Sequence, residues 1–334
     1  MLERRALIVG INHYQAPGND LAAAVADAEA IAQLLERHQD QEPNYDCRVL
    51  LDKMEDGQPI TRAKLRKACE ELFQDYDSEV LFYFSGHGVL TQVGGYLATH
   101  DAEPEDWGVP MQEIVDLSMR SHARDILLIL DCCHSGDIAN PAILNVRQGT
   151  DPLAIIRENM TVIAASRPSQ VSLEAGGHGL FTAALIDALG GGAADHMGWV
   201  TAPSLYAYLE RRFGGWGQRP VYKSHATRLT VVRKCAPLID RLKLYRLAEF
   251  FPTPQSIYQL DPEFEPEDEE GNLQEPVNNE KIRIAQLFKE YRDAGLLMAS
   301  IQGEQLFWTA RRSHTVQLTP RGKEYLWLVQ NDKI

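Results

Sequence analysis

Two short stretches of the chain carry residues able to break a covalent bond. One is Ser85-Gly86-His87-Gly88 and the other is Asp131-Cys132-Cys133-His134-Ser135-Gly136. Each follows an apolar run of strand length, over 80–84 and 126–130. Side chains alternate between the two faces of a strand. Ser85 and His87 therefore share one side, Asp131 and Cys133 share one side, and Cys132 and His134 point the other way. If the two strands are neighbours, a thiol, an imidazole, a hydroxyl and a carboxylate converge. The thiolate is the reactive form of cysteine and a nearby imidazole favours it, so Cys133 reads as a nucleophile and His87 as its base. Gly86 and Gly88 bracket His87 and leave room for a substrate backbone. Ser135 and Gly136 let the chain turn after Cys133. The backbone N–H groups of Gly88 and Cys133 are candidates to stabilise an oxyanion. A metal site fits poorly, because three contiguous residues, Cys132 to His134, cannot converge on one tetrahedral ion and no second ligand pair exists.

The elements that must hold these groups follow a strand–helix rhythm up to about Cys235. Strands are predicted over 6–11, 47–51, 80–84, 126–130, 161–165 and 229–232, and helices over 21–37, 61–76, 111–121, 179–189 and 202–213. The strands are apolar throughout, which predicts an α/β fold around a mostly parallel sheet covered on both faces. Residues 137–159 break the rhythm with Pro141, Gly149 and Pro152 and read as a long exposed loop. That loop divides a large segment, 1–136, from a small segment, 160–235. Beyond it lies a second domain, 236–334, with an acidic, solvated insert at 263–275. In this domain a helix over 279–294 stopped by Gly295, strands over 306–310 and 315–318, and a last helix opened by Thr319-Pro320 suggest a small α+β winged-helix-like module.

Composition narrows the function classes. The 334 residues are 44% hydrophobic and 24% charged, ordinary for a soluble globular protein. A net charge of −14 argues against nucleic acid and anionic membrane surfaces as partners. The second domain carries 12 basic and 16 acidic residues, which argues against a DNA-reading role for it and points to a protein partner. Five irregularly spaced cysteines suit a reducing compartment, and no apolar run has the length of a signal-peptide core or a membrane span. A cytoplasmic location is expected. Cys47, Cys69 and Cys235 read as core thiols.

Together, Ser85–Gly88 and Asp131–Gly136 resemble the paired signature of caspase-like peptidases, specifically the metacaspase and orthocaspase branch. The first strand, the stretch ending at Asp27, residues 162–166, Gly177-His178-Gly179-Leu180-Phe181-Thr182 and Gln218-Arg219-Pro220 extend the likeness over residues 4–234. The resemblance implies a caspase-type sandwich, His87 as general base, Cys133 as nucleophile, and no cofactor. It implies that Asp27, Ser85 and Asp131 line the pocket for the residue before the scissile bond. Two carboxylates there imply a protein or peptide substrate with a basic P1 residue, Arg or Lys, since a guanidinium pairs with carboxylates bidentately. Cys132 stands where the family usually has Ser, and no acidic cluster reads as a calcium site, which leaves calcium dependence open. Self-cleavage is expected in the long loop, at Arg147 rather than Arg157. The resemblance also suggests a place in defence systems, with the second domain regulating through a protein partner. The competing reading is a catalytically silent scaffold on the same fold.

Overall fold

The computed structural model of the chain describes residues 3–16, 18–52, 59–74, 78–92, 94–132, 156–165, 174–175, 177–214, 219–267, 270–273 and 277–334. The chain folds as two units, Met1–Ala236 and Pro237–Ile334. In chain order the first unit runs β1 (Arg4–Gly10), α1 (Ala24–Glu36), β2 (Asp46–Leu51), α2 (Arg62–Phe73) and β3 (Glu79–Ser85). It continues through β4 (Gly88–Thr91), β5 (Gly94–Glu103), β6 (Asp106–Pro110), α3 (Met111–Arg120), β7 (Asp125–Asp131) and β8 (Met160–Ala164). It ends with β9 (Glu174–Ala175), β10 (His178–Gly179), α4 (Leu180–Asp187), β11 (Trp199–Thr201), α5 (Ala202–Phe213), β12 (Val221–Ser224) and β13 (Val231–Lys234).

The central strands β3, β7 and β8 and the second half of β1 are apolar and buried because both faces of their sheet are covered. The sheet order is β12-β8-β7-β3-β1-β2, parallel except for β12. On one face Val9, Phe82, Phe84 and Leu128 pack with Leu65 and Leu72 of α2 and Ile114 of α3. On the other, Ile8, Leu81, Tyr83 and Ile129 pack with Ile31 and Leu35 of α1, Leu185 of α4 and Leu205 of α5. This is a three-layer α/β sandwich around a mostly parallel sheet.

Register places the site. Gly10 of β1 stands opposite Ser85 of β3, and Ser85 opposite Asp131 of β7, so three carboxyl-terminal strand ends form one row. Ligand-binding groups of open parallel sheets gather at such ends. A Cβ at Gly10 would lie 2.4 Å from the Ala24 carbonyl oxygen and 2.8 Å from the Ala28 Cβ. The missing side chain is what lets the first turn of α1, carrying Asp27, settle over the row.

The strand expected over 229–232 is replaced by β13, which pairs with β11 outside the main sheet, and the sixth strand is β12. β12 is short and carries Lys223 and Ser224, so hydrophobic patterning passes over it. The antiparallel sheet β4-β5-β6 also lies outside the expected strands.

The second unit contains α6 (Arg241–Tyr245), α7 (Leu247–Phe250), β14 (Ile257–Gln259), α8 (Asn279–Asp293), β15 (Leu297–Ala299), α9 (Leu306–Arg311), β16 (Thr315–Leu318) and α10 (Pro320–Gln330). The segment expected as a strand over 306–310 is helical. Its buried residues Leu306, Thr309 and Ala310 have helical spacing. β16 pairs instead with β14 and β15, and Gly295, at φ +71°, turns the chain from α8 toward β15. Part of the acidic insert is also packed: Phe264 and Glu265 are buried, and Glu265 binds Lys289 at 2.9 Å.

Gly10→Ala should therefore destabilise the first unit by about 1–3 kcal/mol, as overpacking against a fixed backbone does. Thermal unfolding checks it, and an unchanged midpoint contradicts the close-approach role.

Candidate active site

α1 begins without a side-chain cap of its own at Ala23. Asn12, just past β1, supplies one: its Oδ1 accepts from the Val25 N–H at 3.1 Å, while its Nδ2 donates to the Ala22 carbonyl at 3.3 Å. The helix start is thus fixed to the end of β1, and Asp27 with it. Asp27 is 2% exposed. Its Oδ1 lies 2.8 Å from His178 Nδ1 and 3.2 Å from the Gly179 N–H, and its Oδ2 accepts from Ser85 Oγ at 3.2 Å.

Asp131 lies in the same space. A Cβ at Gly179 would sit 3.2 Å from Asp27 Oδ2 and 3.3 Å from Asp131 Oδ2, so one small residue separates the two carboxylates. Thr182 donates to Asp131 Oδ2 at 2.7 Å, and Tyr83 OH lies 2.6 Å from Thr182 Oγ1. Since the Thr182 proton is committed to Asp131, Tyr83 donates to Thr182. Burial pushes Tyr83 well above the usual phenol range, which keeps it a donor. Burial, and then the neighbouring Asp131 charge, push Asp27 up to about 6, against the hydrogen bonds from His178 and Gly179.

His87 follows the same row by two residues. Its Nε2 is 2.7 Å from the Asn19 carbonyl oxygen. A carbonyl only accepts, so Nε2 carries the proton and the neutral ring keeps its lone pair on Nδ1. The His87 N–H donates to Tyr14 OH at 2.8 Å, and the two rings lie 4.8 Å apart. Gly86 serves this packing: a Cβ there would meet Tyr14 OH at 2.9 Å and the Phe84 ring at 3.0 Å, so the room expected for substrate at Gly86 is filled by the protein itself. Gly88 opens β4. The loop bearing Asn19 is pinned by His13 N–H to Asp52 Oδ2 (3.0 Å), Tyr14 N–H to Asp20 Oδ1 (3.0 Å) and Gln15 N–H to the His100 carbonyl (2.9 Å).

Of the residues singled out by sequence, Asp27, Ser85 and Asp131 come together and His87 stands beside them in the chain. Cys133 and Arg147 lie outside the described residues. Cys132 is buried in the apolar cluster with Phe84 and Leu130, the face opposite Asp131. Arg157, at the end of the long loop, donates to the Ser121 and Ala123 carbonyls at 2.6 and 2.7 Å. Burial raises the thiols of Cys47, to about 12, and of Cys69 and Cys235, which keeps them protonated and inert. Among the described residues no group of His, Cys, Asp or Glu is placed to hold a metal ion, and no helix is long and apolar enough to cross a membrane. Sequence reading misses Tyr14, Asn19, Tyr83 and Thr182 as supports. Asn19 acts through its backbone, which leaves no side-chain signal. His178, an imidazole between two glycines at a strand–helix junction, is visible in the sequence but has no partner assigned by it.

The sequence profile of the caspase domain matches residues 3–231, and the chain belongs to that family. Members of the family are cysteine proteases, and the sandwich described above is the caspase fold. The solved structure of pro-sf-caspase-1 is similar at a TM-score of 0.44 and 12% identity, over 69% of this chain and 94% of that one, too slight a likeness to add to the family match. No curated protein matches the sequence.

The raised Asp27 sets a pH signature. Its neutral form is favoured by the fold, so its stabilising contribution is complete below about pH 4 and is lost as pH rises through about 6. Asp27→Asn, which stays neutral and keeps an acceptor for His178 and Gly179, should be more stable than wild type by about 3 kcal/mol at pH 8. Urea unfolding from pH 4.5 to 8 should show the gap widening across that window; a gap independent of pH contradicts the assignment.

Proposed function

We propose that this member of the caspase-domain family is a cysteine endopeptidase that cleaves peptide bonds after Arg or Lys. One observation carries the reading: Asp27 and Asp131, from a helix and a strand more than a hundred residues apart, share one buried space with Ser85 at the strand end that leads into His87. Above about pH 6 Asp27 is ionised beside Asp131, and the pair attracts a cation. A basic P1 side chain supplies it, and a guanidinium fork can meet both carboxylates. An acidic P1 side chain would add a third like charge to a desolvated pair, which is strongly unfavourable.

The chemistry then follows from His87. With Nε2–H held on the Asn19 carbonyl, Nδ1 takes the proton of the Cys133 thiol. The thiolate attacks the scissile carbonyl, and the backbone N–H groups of Gly88 and Cys133 stabilise the oxyanion. His87 returns its proton to the departing amine, leaving a thioester on Cys133. Water, deprotonated by the same imidazole, hydrolyses it and restores the thiol. No step requires a cofactor. The unit Pro237–Ile334 regulates this activity through a protein partner, and Arg147 is the site of self-cleavage.

A panel of fluorogenic peptides differing only at P1 tests the reading. Arg and Lys peptides should be cleaved, Cys133→Ala should be inactive, and Asp27→Ala or Asp131→Ala should lower kcat/KM on Arg peptides roughly a hundredfold, as expected when one partner of a buried charge contact is truncated. Running the panel on the chain without 237–334 should show altered turnover that still depends on Cys133. Efficient cleavage after Asp contradicts the pocket assignment.

A further inference from the structure

Resting on the peptidase reading above, we propose that His178 is a specificity-determining residue, holding the Asp27 carboxylate ionised and turned toward Asp131 so that the pocket accepts a basic side chain. The role follows from its geometry. With Asp27 ionised, its oxygens only accept, so the 2.8 Å contact puts the proton on His178 Nδ1 whether the ring is neutral or charged. His178 binds Oδ1 and the Gly179 N–H is shared between Oδ1 at 3.2 Å and Oδ2 at 3.4 Å, which fixes the carboxylate plane and turns Oδ2 to Ser85 on the side of Asp131.

Among the described residues, the groups around the pair come from a handful of elements. Asp131 comes from β7, Tyr83 from β3 and Thr182 from α4; the one acid of α4, Asp187, lies within 4.0 Å of Arg212. β9 places Glu174 opposite Gly179 in the register. β1 and β2, packed under α1, put Arg4, Arg5, Asp46 and Arg48 toward their starts, away from the row. His178, with 28% of its side chain accessible, is thus the imidazole that touches Asp27. It opposes the two influences, burial and Asp131, that favour the protonated acid. Without it Asp27 takes up a proton at higher pH and the pocket loses half its charge.

The test is kcat/KM against pH for an Arg peptide, in the full chain, for wild type, His178→Ala, His178→Asn and His178→Gln. An Asn side chain can place an amide N–H where Nδ1 stands, and Gln reaches instead to the position of Nε2. His178→Ala and His178→Gln should move the acid limb upward by about one pH unit, which lowers kcat/KM roughly tenfold on the limb itself, near pH 5, and about twofold at pH 7. The loss should fall in KM, with kcat little changed. His178→Asn should restore the limb to near its wild-type position. A purely structural role would lower all three variants alike without moving the limb, and that result overturns the proposal. So does His178→Ala with an unmoved limb and unmoved KM. Wild type that cleaves no basic-P1 peptide overturns the peptidase reading as well, which separates the two failures.

Discussion

Two buried carboxylates in one space are an unfavourable arrangement that the rest of the first unit is organised to maintain. Asp27 and Asp131 are held by oriented neutral donors, Ser85 Oγ, Thr182 Oγ1 and the Gly179 N–H, with the imidazole of His178 added at Asp27. Donors of this kind solvate an anion without neutralising it, and a desolvated anion pair keeps a strong demand for a positive ligand. On the function proposed above, the pocket selects a cation before any substrate arrives, and the stability lost in keeping Asp27 ionised is recovered when that cation enters.

The register of three strands makes the pair possible. Gly10, Ser85 and Asp131 lie in one row, and the bare backbone at Gly10 admits α1 closely enough for Asp27 to reach it. The same row hands the chain on to His87. The loop after β1 both caps α1 through Asn12 and delivers the Asn19 carbonyl to His87 Nε2, so one loop sets the helix that carries the acid and the tautomer of the base. On the function proposed above, a change in that loop would reach specificity and proton transfer together.

Strand periodicity and the two glycine-flanked motifs make much of this legible in the sequence. The apolar runs over 80–84 and 126–130 form adjacent parallel strands, and alternation places Cys132 on the face opposite Asp131, as it lies in the apolar cluster. What sequence reading misses has no side-chain period to find. β12 is short and polar, β4 to β6 turn back on themselves within a stretch that reads as connection, and Asn19 contributes a backbone oxygen. The helix α9 reads as a strand because six residues with three buried positions fit either period until burial of Thr309 and Ala310 decides it. His178 reads as part of a motif, but a hydrogen bond across 151 residues cannot be inferred from local spacing.

The central claim is that an acidic pocket built by Asp27 and Asp131 presents substrate to Cys133. A peptidyl electrophile with arginine at P1, reacted with the full chain and located by tandem mass spectrometry, tests it most directly. The account predicts a single adduct on Cys133, suppressed in Asp27→Ala and absent with the corresponding aspartate probe. An adduct on Cys132, or equal labelling by the aspartate probe, would contradict it.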